Sequence, residues 1–231
     1  MPFQNVCRLA FPSVLIVSLS TRLLIAGEPS HKIADVEKAP AGLAAAVSAT
    51  LSSKGHLVEG PDGPICEIWL VKELVLKAGF RPSLSVKYPF TPGQLIGALR
   101  VSPGSQFSDF RGQEIPPGAY TLRYGQQPED GNHIGTSDLA DFLLVLPAAG
   151  DTGTTAITDV DDLSERSAES ADATHPAILS LLPIKTHPKK PTLTHNEDDD
   201  FWILDLSTRG RDKDNSVPVH LRIIAIGETD V

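Results

Sequence analysis

The hydrophobic positions of this chain change rhythm three times. The first thirty residues, MPFQNVCRLAFPSVLIVSLSTRLLIAGEPS, carry an apolar run from Leu9 to Ser20 behind Arg8, with small residues at Ala26 and Gly27. Basic, then apolar, then small is the layout of a secretory signal peptide, which predicts a signal over residues 1–27. Arg22 divides the run, and a bilayer span needs about 20 uninterrupted apolar residues, so no transmembrane span is expected in the mature protein. Residues 28–39 are polar and rich in Lys and Glu, and are expected to be a flexible leader. From Pro40 the period is helical: Leu43, Val47 and Leu51 fall four apart, with Gly55 placed to stop the helix.

After Gly55 the period shortens. Runs rich in Ile, Val, Leu and aromatic residues lie at 56–59, 65–76, 84–88, 95–101, 119–124, 142–146, 178–182, 201–206 and 217–226. Turn clusters such as Gly60-Pro61-Asp62-Gly63-Pro64, Thr91-Pro92-Gly93 and Pro116-Pro117-Gly118 part them. The gaps up to residue 146 are too short for crossover helices, which rules against a parallel sheet. The expected fold is mainly β, an antiparallel β-sandwich with one or two short helices, forming a single domain over 40–231.

Two polar segments interrupt the strands. Residues 148–176 form an acidic insertion whose middle, 158–170, is either flexible or a solvent-facing helix opened by a Thr or Asp cap. Val160 and Leu163 are the large apolar anchors of such a helix. Residues 186–200, THPKKPTLTHNEDDD, make a second polar loop. Before the first of these, EIPPGAYTLRYG places Pro117-Gly118 at the centre of a type II turn that launches a strand. With a side-chain period of two, Tyr120, Leu122 and Tyr124 face the core while Ala119, Thr121 and Arg123 face water.

Composition narrows the partners. A hydrophobic content of 41% supplies a core, whereas aromatics at 6% leave no broad stacking surface. The net charge is −9, and loss of residues 1–27 would remove Arg8 and Arg22 and no acid, making it −11. Such a chain repels phosphate backbones and shows no basic stripe in sequence, so nucleic acid is not an expected partner. Cys7 would leave with the signal. Cys66, inside the apolar run ICEIWL, is expected to be a small buried hydrophobe with no disulfide partner.

The candidate chemistry is concentrated in EDGNHIGTSDLAD. There Asp130, His133, Asp138 and Asp141 stand within a dozen residues, beside two glycines. A carboxylate and an imidazole two residues apart in a loop can converge on a divalent metal such as Zn²⁺, or act as a base with its orienting partner. Asp130, His133 and Asp138 are the candidate ligands, with Glu129 or a distant His175 as supplements. The same residues also suit a turn-rich polar loop, with Ser137-Asp138 capping a helical turn. Glu197 to Asp200 offers hard oxygens for Ca²⁺ or a solvated run guarding the next strand edge. Nucleophile elbow, P-loop, dinucleotide fingerprint and EF-hand spacings are all absent. Trp69, Tyr120 and Tyr124 are the candidate ligand-binding aromatics, on the expectation that they are partly accessible.

CEIWLVKEL, IPPGAYTLRYG, QPEDGNHIG and DFLLVLPA together resemble a set of uncharacterised exported bacterial proteins in which a Trp-bearing strand and a PPG-x-Y-x-L turn recur. The resemblance covers residues 66–148. The turn-strand alone is similar to that of transthyretin-like and carboxypeptidase-regulatory-like sandwiches. Both likenesses imply a β-sandwich and bring no catalytic residues. The expectation is therefore a secreted or periplasmic binding or structural protein, non-enzymatic, with an unknown protein or small ligand as its partner. The alternative is a metal-binding protein or metal-dependent enzyme using the loop Asp/His cluster.

Overall fold

Eleven strands and two short helices alternate along the residues that the computed structural model describes, 30–127, 140–185 and 187–229, together with Met1. In chain order they are β1 (Lys32–Val36), α1 (Ala45–Thr50), β2 (Gly55–Gly60), β3 (Gly63–Leu70), β4 (Glu73–Val75) and β5 (Leu95–Val101). Next come β6 (Gly118–Gln126), β7 (Asp141–Pro147), α2 (Val160–Ala168) with a 3-10 turn (Glu169–Ala171), and β8 (Ile178–Ser180). β9 (Thr192–Asn196), β10 (Phe201–Asp212) and β11 (Asn215–Ile226) complete the chain.

The strands form two sheets. A seven-stranded antiparallel sheet runs β1-β2-β3-β5-β6-β7-β8, and a smaller sheet is built on the β10–β11 hairpin. The free edge of β10 is shared: β9 pairs antiparallel with its first half, and β4 pairs parallel with Arg209 to Arg211. The sheets join at one side, where Leu181 bridges Ile223 and the Leu182 N–H donates to the Arg222 carbonyl at 2.8 Å. The fold is thus mainly β, a curled antiparallel sandwich, with β4 to β10 as its parallel pairing.

The main core fills the space between the sheets, where Leu122, Tyr124, Leu143 and Val145 of one meet Leu204, Leu206, Leu221 and Ile223 of the other. Their alternation along each strand is what the period of two requires. On the opposite face of β7, Leu144 and Leu146 pack with Leu163 and Ile178 in a second, smaller cluster. Both faces of the large sheet are therefore covered here, which explains the continuous apolar run FLLVL.

That second cover corrects the expected wet face of β6. Thr121 and Arg123 are 0% and 1% exposed. Arg123 uses all five of its N–H donors. Nε and Nη2 grip Asp151 at 2.5 and 2.7 Å, and the other N–H groups reach the carbonyls of Gly93, Thr155 and Gly153 at 2.7–2.8 Å. A buried guanidinium is tolerable only with this degree of pairing. The clamp holds residues 151–155 against the sheet and delivers the chain to α2. Asp159 opens α2 by accepting from the N–H groups of Asp161 and Asp162 at 3.1 and 3.2 Å. Asp161 and Asp162 in the first turn and Arg166 in the last suit the helix dipole. Of the two expected anchors, Leu163 is buried but Val160 is 55% exposed. Ser167 and Ser170 complete the docking by donating to the Ala177 and Val145 carbonyls at 2.9 and 2.8 Å.

Other expectations need correction. The leader contains β1, which pairs residue for residue with β2 from Lys32–Glu59 to Val36–Gly55; Ile33 and Val36 pack against the core and supply the apolar contact that orders it. The first helix is confined to Ala45–Thr50. Residues 84–88 form no strand; Leu84 is 95% exposed, while Tyr88 is buried and donates to the Leu182 carbonyl at 2.8 Å. Gly118 is not among the left-handed glycines, so Pro117-Gly118 is not a type II turn. Gly118 instead begins β6, and the Tyr120 hydroxyl folds back over it to donate to the Pro116 carbonyl at 2.6 Å. The second polar loop contains β9 and turns tightly through Asp200 (φ 55°) into β10.

Candidate functional site

The three candidate aromatics are structural. Trp69 and Tyr124 are fully buried and Tyr120 is 6% exposed, so none offers a partly accessible ring. Trp69 occupies space vacated by Gly55 on the neighbouring strand, where a Cβ would lie 2.3 Å from the indole. Tyr124 packs edge-on against Phe90, at 5.4 Å between centroids, and its hydroxyl is bonded to the Asp141 carboxylate. Asp141 also accepts from the Lys87 N–H at 2.5 Å. Burial raises the Asp141 carboxyl above the usual range, with the Tyr124 hydroxyl pulling it back. Burial and the Asp141 contact push the Tyr124 phenol upward. The pair is a buried hydrogen-bonded brace at the start of β7.

The metal candidates Asp130, His133 and Asp138, with Glu129, lie outside the described residues. Among the described residues, no group of three or more His, Cys, Asp or Glu side chains is placed to hold a metal ion. Asp109 illustrates how a buried acid is satisfied without one. Its carboxylate accepts from the N–H groups of Arg111, Gln113 and Ile178 and from the Gln113 side chain, at 2.8–3.0 Å. Cys66 is completely buried, and burial pushes its thiol up to about 12, a protonated and unreactive state.

Two grooves remain. One, of about 940 Å³, lies along the β9–β10 turn and carries His31, His195, Trp202 and the acids Asp198 to Asp200. Both imidazoles lie against the Trp202 indole, at 4.4 and 4.5 Å between centroids, and His195 Nε2 meets Asp200 at 2.7 Å. These groups satisfy one another. Glu197 to Asp200, read from sequence as calcium oxygens or a solvated run, form the hairpin turn, where Asn196 donates to Asp199 at 2.7 Å.

The other groove, of about 950 Å³, lies on the outer face of the small sheet. Register places Ser207 of β10 opposite His220 of β11, and Arg209 opposite Pro218, so alternate side chains of the hairpin form the floor. Leu51 to Ser53, after α1, and Lys72-Glu73, entering β4, make one wall; His187 to Lys189 make the other. The His187 and His220 rings stand 4.5 Å apart at 52°. Burial, and then the His187 ring, lower the His220 imidazole below its usual value, against an opposing pull from Asp205. The sole acid of the lining, Glu73, is engaged by Arg211 at 3.5 Å. Lys72, Lys189 and Arg209 are exposed and carry no side-chain ion pair or hydrogen bond among the described residues.

Sequence reasoning did not anticipate this groove. Lys72 is separated from Lys189 and Arg209 by more than a hundred positions and is brought to them because β4 aligns with β10; His187-Pro188 and the alternation of RGRD and SVPVH were the local signals. Comparison with known protein families, with curated proteins and with solved structures finds no match to this chain. Among the described residues, no helix is long and apolar enough to cross a membrane.

Proposed function

We propose that the chain is an exported, non-enzymatic binding protein that holds a small ligand in the groove on the outer face of the β10–β11 hairpin. The observation that carries this reading is the groove's construction. Its floor is a regular hairpin and its edge is pinned by the β4 pairing and by Thr208, whose hydroxyl donates to the Val71 carbonyl at 2.7 Å. A concavity of about 950 Å³ on a rigid floor, with apolar Leu51, Pro188 and Pro218 beside convergent polar groups, suits a small molecule. Export rests on the order of basic, apolar and small residues in positions 1–27.

The test is a thermal-shift screen with neutral, cationic and anionic small molecules, run on the parent protein and on Ser207→Trp. Ser207 is exposed on a strand, where an indole is tolerated and would occupy the groove. Compounds that raise the parent Tm are expected to lose that effect in Ser207→Trp. Equal shifts in both proteins would move the binding site elsewhere. Export is checked by N-terminal sequencing of the protein recovered outside the cytoplasm, where the expected new terminus follows Gly27.

A further inference from the structure

We infer that this groove takes a small phosphomonoester, the phosphoryl group held by Lys72, Lys189 and Arg209 and the organic body lying on Leu51, Pro188 and Pro218, with a proton taken up by His220 on binding. The inference rests on the reading of the groove as a ligand site and names what that site recognises.

The charge pattern carries the argument. The chain has a net charge of −9, yet this concavity gathers three cations that are unpaired among the described residues and two imidazoles, and its one acid is already engaged by Arg211. Unpaired like charges drawn together on a folded surface repel one another at close range. The arrangement becomes favourable when a multiply charged anion sits among them. A phosphoryl group presents several acceptor oxygens to Arg and Lys donors. Ser52, Ser53 and Ser207 place hydroxyls in the same lining. The negative charge of the rest of the molecule disfavours a long polyphosphate chain and so restricts the ligand to a small one. The groove is also far larger than a phosphate ion alone, which leaves room for an organic body beside the prolines.

Proton uptake follows from what surrounds the two rings. The lining around them supplies Arg209 from β10, Lys72 and the Arg211-paired Glu73 from the segment entering β4, and Lys189 from the loop of His187 itself; the buried Asp205 of β10, drawn on by Arg222 of β11, acts on His220. Cations outnumber free acids, and His220 Nδ1 is enclosed with no hydrogen-bond partner among the described residues. Burial and the His187 ring oppose a charged His220. A bound anion reverses the balance by supplying both countercharge and acceptors. A phosphomonoester has its own second ionisation at about pH 6, so its own proton must be separated from any taken up by the protein.

The experiment is isothermal titration of the full chain with phenyl phosphate, phenyl sulfate, inorganic phosphate and phenol, at pH 6 and pH 8, in two buffers of different ionisation enthalpy. Phenyl sulfate keeps a fixed charge, so any buffer-dependent heat with it reports protons taken up by the protein. Phenyl phosphate is expected to bind more tightly than inorganic phosphate. Phenyl sulfate is expected to bind more tightly at pH 6 than at pH 8, with proton uptake that disappears in His220→Gln. Arg209→Ala and Lys189→Ala, both at exposed positions, should each weaken phenyl phosphate about tenfold without changing Tm. Equal affinity of phenyl sulfate at the two pH values, or heats independent of buffer, overturns the proton coupling. Phenol binding as tightly as phenyl phosphate, and unaffected by the two cation variants, overturns the anion assignment and leaves the groove a ligand site. Inorganic phosphate matching phenyl phosphate overturns the monoester in favour of the free ion. If no probe binds, the inference fails, and the wider reading is then judged by its own screen against Ser207→Trp.

Discussion

Arg123 and Asp151 face each other through two parallel hydrogen bonds, Nε to Oδ2 at 2.5 Å and Nη2 to Oδ1 at 2.7 Å, with side chains 1% and 3% exposed. The remaining guanidinium donors hold three backbone carbonyls, so this one residue ties the acidic insertion to the large sheet. Removing either partner strands a charge in a dry place, a loss on the order of 3–5 kcal/mol.

Arg123→Met and Asp151→Leu should each lower the urea midpoint strongly, and the double variant should lose less than the sum of the two. Thr121→Val, which removes only the hydroxyl bonded to Asp151, should cost about 1 kcal/mol. Additive losses in the double variant would show that the pair is not coupled.

Gly93, whose carbonyl Arg123 also holds, offers a second lever on the same segment. It adopts φ 77°, and a Cβ there would lie 1.7 Å from the Ile157 carbonyl oxygen. Gly104 has nearly the same backbone, φ 79°, but open space around it. Gly104→Ala should therefore show only the left-handed penalty, about 1 kcal/mol, whereas Gly93→Ala should lose at least twice that. Hydrogen exchange should localise the Gly93→Ala damage to residues 153–168. Similar stabilities for the two variants would remove the steric argument.

The histidines set the direction of the pH response. Burial lowers His56 most directly, against a partial pull from Asp35 at 3.3 Å; burial also lowers His31 and His220. Lowered folded values mean that the unfolded chain takes protons first. The stability these groups contribute is present above the ordinary histidine value, about 6.5, and is lost as pH falls through the folded values. Asp141 and Asp205, raised by burial, act in the opposite sense, their penalty fading as pH falls through their own folded values. Between pH 8 and pH 5.5 Tm should decline, and His56→Gln should flatten the slope. An unchanged slope would assign the response to other groups.

Much of the fold was legible because the strands announce themselves locally. The run 95–101 coincides with β5, and the Pro/Gly clusters fall at strand ends or between strands. Cys66 is the inert core residue its apolar neighbours imply. What was illegible depends on distant chain. The leader reads as polar because β1 is an edge strand that needs β2 to form. The face of β6 bearing Thr121 and Arg123 reads as wet because its cover arrives thirty residues later, through Asp151. Period-two logic gave the side on which each residue points, but not whether that side is dry. The aromatics were overvalued for a related reason. In a chain with few rings, the core claims most of them.

The shared edge of β10 also bears on the time course of folding. The Thr208 hydroxyl and the Val71 carbonyl that it meets are 137 positions apart, and the parallel β4 to β10 pairing closes the same long loop. Loop closure of that length is slow to find. A chain emerging from its N-terminal end can build β2, β3, β5 and β6 by short connections, but it leaves β4 without a partner until almost the last strands are available. The small sheet is therefore the final part to assemble, and a chain cut before β10 would keep its hairpins while lacking the groove that β10 and β11 floor.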